Sequence, residues 1–294
     1  MNGIRHEVVQ ADGVRLHVGR MGSGRALLLM HGWPEFWQTW QPVMERLANN
    51  YDLIAPDFRG FGDSDKPAGD KPSDQAGAAV HGADMAALLD SLGLAKVGLV
   101  AHDVGAIVAQ DLARRVPDSI VGVFCFDCPY PGIGARWAEP GHLKEIWYQS
   151  FNQLPWAAKL IGASRDACAT YIGHFMRHWS RNPAWVEEML EIWVDNLMRP
   201  GALQGGFNWY VSQNASRLAT IRDELSPQTP INLPTCVRWG DGVVLPAAWA
   251  DRLHETFSNL DFAVLPGVGH FPHRENPDLA AREIAKFFDR IWTK

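Results

Sequence analysis

Short apolar runs alternate with segments of helical spacing over the first part of the chain. The runs have the length and the β-branched content of buried parallel strands, and they cover 26–30, 52–56, 97–101 and 120–126. Ahead of them, alternating segments at 6–10 and 14–18 flank Asp12-Gly13, which predicts an antiparallel hairpin. Helical spacing occurs at 36–48, at 75–92 and after Gly105. This order predicts a mostly parallel, doubly wound α/β sheet.

The pattern changes between residues 129 and 227. Helical spacing dominates there without a recognisable buried strand, and many of the thirteen tryptophans of the chain lie in this segment. Beyond it, strand patterns return at 234–239 and 261–265, and helical patterns at 245–257 and 277–291. We therefore predict an α/β core of about eight strands, formed by residues 1–128 and 228–294, with a helical cap inserted at 129–227.

Composition narrows the classes of function. The 294 residues are 47% hydrophobic and 20% charged, as in an ordinary globular enzyme, and a net charge of −6 offers no basic surface for nucleic acid. No window of about eighteen apolar residues suggests a membrane span, and no apolar signal segment begins the chain, so we expect a cytoplasmic protein. Cys125 and Cys128 have the spacing of a redox pair or half a zinc site, but their apolar surroundings favour buried, reduced thiols.

The candidate chemistry begins where the run 97–101 ends. Residues 101–105 read Ala-His-Asp-Val-Gly, and the small residues two positions to either side of Asp103 allow a sharp turn from strand into helix. This is the spacing of a nucleophile elbow, with aspartate at its centre. A carboxylate nucleophile forms an ester, which suits displacement at saturated carbon better than acyl transfer. The alternative role for Asp103 is that of a helix N-cap.

Two further residues complete a candidate triad. Asp241 and His270 each follow a predicted strand, so both lie at the edge where open α/β sheets bind ligands. The order nucleophile, acid, histidine is the one found in enzymes with a nucleophile elbow. Taken alone, Asp241 would be a turn residue in Gly-Asp-Gly and His270 a loop histidine. After the run 26–30, the Trp33 N–H is a candidate oxyanion donor, the alternative being an ordinary strand-to-helix turn.

Longer motifs surround these positions. The segments 31–34 (His-Gly-Trp-Pro), 57–65, 102–105 (His-Asp-Val-Gly) and 269–271 (Gly-His-Phe), with Asn208-Trp209-Tyr210 and, more loosely, Trp147-Tyr148-Gln149, resemble those of epoxide hydrolases with the α/β-hydrolase fold. The resemblance covers essentially the whole chain, although segment 57–65 is also similar to a loop of related dehalogenases. In the family, the last two segments carry the cap tyrosines. The alternative for both tyrosines is a buried cap ring with a hydrated hydroxyl.

The resemblance implies the α/β-hydrolase fold and a reaction in two steps. Asp103 would attack an epoxide carbon while Tyr148 and Tyr210 hydrogen-bond the ring oxygen and protonate it. His270, supported by Asp241, would then activate a water molecule against the resulting ester. The product would be a vicinal diol.

The same resemblance implies the surroundings of the reaction. The backbone N–H groups of Trp33 and Val104 would form the oxyanion hole. The substrate pocket would be lined by His31, Pro34, His102, Trp147, Gln149 and Phe271. Neither a metal nor an organic cofactor is implied. The partners would be water and a small apolar or aromatic epoxide, with no nucleic acid or membrane, and a homodimer stays open.

Departures from the relatives bear on the substrate. Val104 and Trp33 replace the tryptophan and asparagine with which haloalkane dehalogenases hold a halide. Fluoroacetate dehalogenases place arginines along the elbow helix, where this chain has Ala106, Ile107 and Gln110. Arg114 and Arg115 are expected to lie too far along to reach a carboxylate, which favours a neutral epoxide. The alternatives are a haloacid or haloalkane dehalogenase with the same nucleophile, an esterase, and a non-catalytic binding protein of the same fold.

Overall fold

An eight-stranded sheet forms the centre of the computed structural model, which describes residues 3–67, 75–242 and 244–292. The strands are β1 (Arg5–Ala11), β2 (Val14–Gly22), β3 (Arg25–Met30), β4 (Tyr51–Pro56), β5 (Val97–His102), β6 (Ile120–Phe126), β7 (Thr235–Gly240) and β8 (Leu260–Leu265). Their order across the sheet is β1-β2-β4-β3-β5-β6-β7-β8. The pairings of β2 with β1 and β4 are antiparallel, and the others are parallel. The predicted fold class is confirmed.

The strands follow the hydrophobic pattern closely. Asp12 and Gly13 connect β1 to β2 with φ angles of 44° and 78°, the combination that a type I′ hairpin turn requires. Every residue of β4, β5 and β7 is buried, as expected for strands with both faces covered. The continuous apolar runs therefore correspond to the middle of the sheet.

The helices are α1 (Gln41–Leu47), α2 (Ala78–Ser91), α3 (Val104–Arg115), α4 (Leu143–Phe151), α5 (Ala157–Ile161), α6 (Arg165–His178), α7 (Ala184–Leu197), α8 (Ala202–Ile221), α9 (Leu253–Thr256), α10 (Pro272–Glu275) and α11 (Pro277–Trp292). The helix predicted over 36–48 is divided into a 3-10 helix at Trp37–Trp40 and α1. Pro42 has no N–H to continue a helix from the preceding turn, and it is favoured at a helix start. The helix predicted at 75–92 begins only at Ala78, because Gly77 has a φ of 104°.

Helices also account for the inserted segment. Within residues 129–227, here called the cap, lie α4 to α8 and a 3-10 helix at Pro131–Ala138, and no strand is present. A close contact joins α8 to the loop after β4, since a Cβ atom on Gly205 would lie 2.0 Å from the carbonyl oxygen of Gly60. Only glycine fits there. The division of the chain into separate domains stays a prediction.

Two other features concern the length of the helices and the state of the cysteines. None of the helices in the described ranges is long and apolar enough to cross a lipid bilayer. All four cysteines are free and buried, which confirms the burial predicted for Cys125 and Cys128.

The sheet brings candidate residues to one edge. β5 and β6 are parallel, and their register pairs His102 with Phe126. The next residue on each strand, Asp103 or Asp127, therefore emerges beside the other at the carboxyl end of the sheet. The loop after β8 brings His270 to the same edge, where ligands of open α/β sheets bind.

Candidate active site

Asp103 occupies a strained turn between β5 and α3. Its φ and ψ are 51° and −120°, which is costly for a residue other than glycine, and its side chain makes no cap bond to its own helix. The N-cap interpretation is therefore wrong. A Cβ atom on Gly105 would lie 2.5 Å from the carbonyl oxygens of both Met30 and His31, so this turn needs the small residue of the motif. The Asp103 carboxylate faces a cavity and accepts the Trp33 N–H at 3.0 Å.

His270 lies between two carboxylates. Its Nε2 atom is 3.7 Å from Asp103 Oδ2, and its Nδ1 atom is 2.7 Å from Asp127 Oδ2. The backbone of His270 is held as well, because its N–H donates to the Trp179 carbonyl and its own carbonyl accepts from His102 Nε2 at 2.7 Å. Burial, reinforced by the charge of His102, lowers the pKa of His270 to about 3. The imidazole is therefore neutral near pH 7 and can accept a proton.

The prediction that Asp241 is the acid partner of His270 is wrong, because Asp127 is the carboxylate beside His270 Nδ1. Asp241 is on the surface, where its carboxylate accepts hydrogen bonds from Arg181 Nε at 2.7 Å and from the Gly267 N–H at 2.8 Å. It therefore belongs to the turn that its Gly-Asp-Gly context suggested. Asp127 is buried, and its second oxygen accepts the Gly240 N–H at 2.7 Å. Burial raises the pKa of Asp127, and this backbone bond opposes the rise by stabilising the carboxylate.

A buried cluster of Glu35, His102, His273 and Thr39 supports the elbow. Glu35 contacts His102 Nδ1 at 2.7 Å and His273 Nε2 at 2.8 Å, and it accepts the Thr39 hydroxyl at 2.6 Å. Burial disfavours a proton on His102, but the charge and hydrogen bond of Glu35 outweigh it and raise the pKa of His102 to about 9. The two histidines and Glu35 are of metal-ligand type, yet hydrogen bonds among them already use the facing atoms.

One of the two N–H groups predicted for the oxyanion hole, that of Trp33, donates to the Asp103 carboxylate. The Trp33 N–H reaches Oδ1 directly, and Gly32 before it donates its own N–H to Glu35 Oε2 at 2.7 Å. Val104 lines the cavity as the first residue of α3, where an N–H has no partner within the helix. Trp33 therefore has the contact expected of an oxyanion donor, and the role of the Val104 N–H stays a prediction.

Tyr148 and Tyr210 face Asp103 from the cap. They come from α4 and α8, and their rings lie 5.4 Å apart at 84°. The Tyr148 ring stacks on Trp33 at 4.9 Å. Burial raises the pKa of both hydroxyls, and the charge of Asp103 raises both further. Two neutral O–H donors and one carboxylate thus share the cavity.

The cavity has a volume of about 310 Å³ and is bounded by the core and the cap. Of the six predicted pocket residues, Gln149 lines it. The other five do not, and these are His31, Pro34, His102, Trp147 and Phe271.

Each of the five has another place in the structure. His31 is buried and hydrogen-bonded to the Gly32 carbonyl and the Phe58 N–H, while His102 belongs to the buried cluster. Phe271 is buried against Trp185, and Pro34 is buried in the loop after β3. Trp147 is 42% exposed, since consecutive helix positions point about 100° apart and Tyr148 takes the inward direction.

Several polar side chains of the cavity wall were missed by the sequence reasoning. Gln110 and Arg114 line it from α3, and Gln213 and Arg217 line it from α8. Arg114, which was expected to lie too far along α3 to reach a substrate carboxylate, lines the cavity, whereas Arg115 does not. For α8, the spacing i, i+3 and i+7 from Tyr210 could have indicated Gln213 and Arg217.

Comparison with known proteins places the chain in a family. Residues 27–283 match the model of the alpha/beta hydrolase family. The chain belongs to the alpha/beta hydrolase family. It is 32% identical to a soluble epoxide hydrolase of Corynebacterium sp. (strain C12) over 97% of either chain, and 28% identical to a fluoroacetate dehalogenase of Burkholderia sp over 97% of this chain and 94% of that one. A solved epoxide hydrolase from Vigna radiata is 26% identical, covers 98% of both chains and has a TM-score of 0.80.

The raised pKa of His102 predicts a pH-dependent stability. Folded His102 keeps its proton up to about pH 9, whereas an unfolded histidine loses it near pH 6.5. The stability that this residue contributes is therefore complete below pH 6.5 and is lost as the pH rises through 9. Urea unfolding should show a falling free energy of unfolding across this window, and His102→Gln should flatten the fall. The same change at exposed His254 is the control, and an equal effect of both variants would contradict the assignment.

Proposed function

We propose that this hydrolase converts an epoxide into a vicinal diol through a covalent ester on Asp103. The observation that carries the proposal is that Tyr148, Tyr210 and Asp103 all line one cavity, so two hydroxyl groups share it with the carboxylate. An epoxide is opened by a nucleophile at carbon together with a proton donor at oxygen, and this cavity holds both. The similarity to proteins named epoxide hydrolases supports the same reaction.

In the first step, Asp103 attacks one epoxide carbon from the side opposite the breaking C–O bond. The Tyr148 and Tyr210 hydroxyls hydrogen-bond the oxygen and supply its proton, because a free alkoxide is a poor leaving group near neutral pH. A C–O bond to the Asp103 carboxylate forms as the ring bond breaks. The result is a hydroxyalkyl ester on Asp103 and a tyrosinate shared by the two cap residues.

In the second step, water attacks the carbonyl carbon of that ester. His270 is neutral, so its Nε2 atom accepts the proton of the water, and Asp127 stabilises the imidazolium that results. The Trp33 and Val104 N–H groups stabilise the oxyanion, and losing one such donor typically costs about 3 kcal/mol. Collapse of the tetrahedral intermediate breaks its C–O bond to the substrate. The leaving oxygen takes the second proton of the water, which releases the diol and restores the Asp103 carboxylate, and the proton on His270 returns to the tyrosinate by way of solvent.

Dehalogenation is the second candidate, because one relative is named a fluoroacetate dehalogenase. It would use the same attack by Asp103. On α3, however, the apolar residues Val104 and Ile107 form the cavity wall next to Asp103, and no lysine or arginine among the described residues forms an ion pair with the Asp103 carboxylate. Fluoroacetate would need a cation there, since its carboxylate is one bond from the reacting carbon.

Labelled water tests the covalent step. One turnover of styrene oxide by excess enzyme in heavy-oxygen water should yield unlabelled diol, because the added oxygen comes from Asp103 and the label enters the protein. Mass spectrometry of the diol and of the peptide that contains Asp103 measures both. Label in the first-turnover diol would mean direct attack by water. Halide release from fluoroacetate or a haloalkane, with no diol from any epoxide, would support dehalogenation instead.

Substitution of Asp127 and of Asp241 tests which aspartate is the acid of the triad. Asp127→Asn should lower kcat by about a thousandfold or more, because the amide cannot stabilise an imidazolium on His270. Asp241→Asn removes the same charge at the surface and should leave kcat within about twofold, since surface substitutions have small effects. Stopped assays on styrene oxide with both purified variants measure the contrast. The reverse ranking would restore Asp241 as the acid.

Removal of a cap hydroxyl tests proton donation. Tyr210→Phe should slow ester formation roughly a hundredfold, the scale of general acid catalysis, while hydrolysis of ester already formed is little affected. Quenching of tryptophan fluorescence by substrate in stopped flow separates the two rates. Tyr171→Phe is the matched control, because that hydroxyl bonds Asn152 within the cap away from the cavity wall. Equal slowing by both variants would point to a packing effect.

A further inference from the structure

The wall of the cavity carries two arginine side chains that the proposed reaction does not use. Arg114 comes from the later turns of α3 and Arg217 from the later turns of α8. Each is only half-buried but lies in a cavity that is otherwise mostly apolar and aromatic. An arginine side chain in such a place needs an opposite charge nearby and hydrogen-bond acceptors for its five N–H donors.

Neither arginine has an acidic partner among the residues that the structure describes. Arg217 donates one hydrogen bond to Asn214 Oδ1 at 3.2 Å. Arg114 donates to the carbonyls of Thr229 at 2.8 Å and Gln110 at 3.0 Å. Several donors of each guanidinium thus remain for a ligand.

Neither acidic residue of the cavity wall forms an ion pair with Arg114 or Arg217. The charge of Asp111 acts on Arg114 from a distance, but the Asp111 carboxylate contacts Arg115 at 3.0 Å. Asp103 is the nucleophile of the proposed reaction. Burial lowers the pKa of both Arg114 and Arg217, which shows that water already stabilises their charges less than it would at the surface. An anionic ligand would restore the lost stabilisation.

The helix geometry sets the distance from the reacting centre. Tyr210, Gln213 and Arg217 are at positions i, i+3 and i+7 of α8, so they share one face, and seven residues span about 10 Å of helix. The Arg217 side chain leans back towards the N-terminus of α8, as side chains on a helix do. Arg217 and Tyr148 line the same cavity, and the charge of Arg217 partly offsets the rise in the pKa of the Tyr148 hydroxyl.

We propose that the substrate is an epoxide that carries a carboxylate, with the epoxide held at Asp103 and the carboxylate bound by Arg217 and assisted by Arg114. This inference rests on the proposed function and narrows its substrate class. Planar guanidinium groups bind carboxylates through paired, charge-assisted hydrogen bonds.

Matched substrate pairs test the inference. The first pair is styrene oxide with a para-carboxylate and the same epoxide with a para-carboxamide, which differ in charge but hardly in size. The second pair is a flexible medium-chain carboxylic acid with a terminal epoxide and its primary amide. In wild type, kcat/KM for the carboxylate should exceed that for the amide by about tenfold or more in at least one pair, and the ratio should fall as salt is added.

Variants locate the effect. Arg217→Gln should bring the carboxylate-to-amide ratio close to one, and Arg217→Lys should keep part of it because the charge remains. Arg222→Gln removes the same charge five residues further on, at an exposed position just past the end of α8 and outside the cavity wall, and should keep the wild-type ratio. Circular dichroism and thermal unfolding show that each variant is folded, and the ratio is unaffected by differences in the active fraction.

The outcomes separate this inference from the function on which it rests. Diol from the amides without a preference for either carboxylate would overturn the inference and leave epoxide hydrolysis standing. A preference that survives Arg217→Gln, or equal losses on both members of a pair, would also overturn it. No diol from any of the four epoxides would overturn the proposed function itself.

Discussion

The register between β5 and β6 is the constraint on which the site depends. Because His102 pairs with Phe126, the following residues, Asp103 and Asp127, emerge side by side. Both have positive φ angles, 51° and 37°, so the chain turns away from the sheet at the same level on both strands. The loop after β8 then needs to place only one imidazole between two carboxylates. A shift of the register by one residue would reverse the side on which each aspartate emerges and separate the pair.

The buried cluster behind the elbow keeps this arrangement in place. Charged His102 donates to the His270 carbonyl, while Glu35 accepts from His102 and from the Gly32 N–H. Three loops that follow different strands are thus joined by short hydrogen bonds in a place without solvent. Removing a single partner would leave a buried charge unpaired, which costs several kcal/mol. The cluster therefore resists small displacements of the His270 imidazole and of the loop after β3 that carries Trp33.

Features that depend on nearby residues could be predicted from the sequence, and those that depend on long-range pairing could not. The elbow, His270 and the cap tyrosines are carried by local motifs, and the strands by apolar runs. Asp127 was missed because only the register shows that it lies beside Asp103, and the usual chain order favoured Asp241. Neighbours in a motif also misled, since Trp147 and Phe271 point away from the cavity that Tyr148 and His270 face.

Charge on Asp103 couples the two steps of the proposed reaction. Burial is the main cause of the raised pKa values of Tyr148 and Tyr210, and the Asp103 carboxylate adds to it. Ester formation removes that charge, so both hydroxyls become stronger acids as the epoxide oxygen develops its own negative charge. The same loss makes His270 a weaker base, because Asp103 had favoured its proton. Asp127 does not take part in the ester and keeps its contact with His270 Nδ1. In the second step it is therefore the carboxylate that supports a proton on His270, whereas the resting site has two.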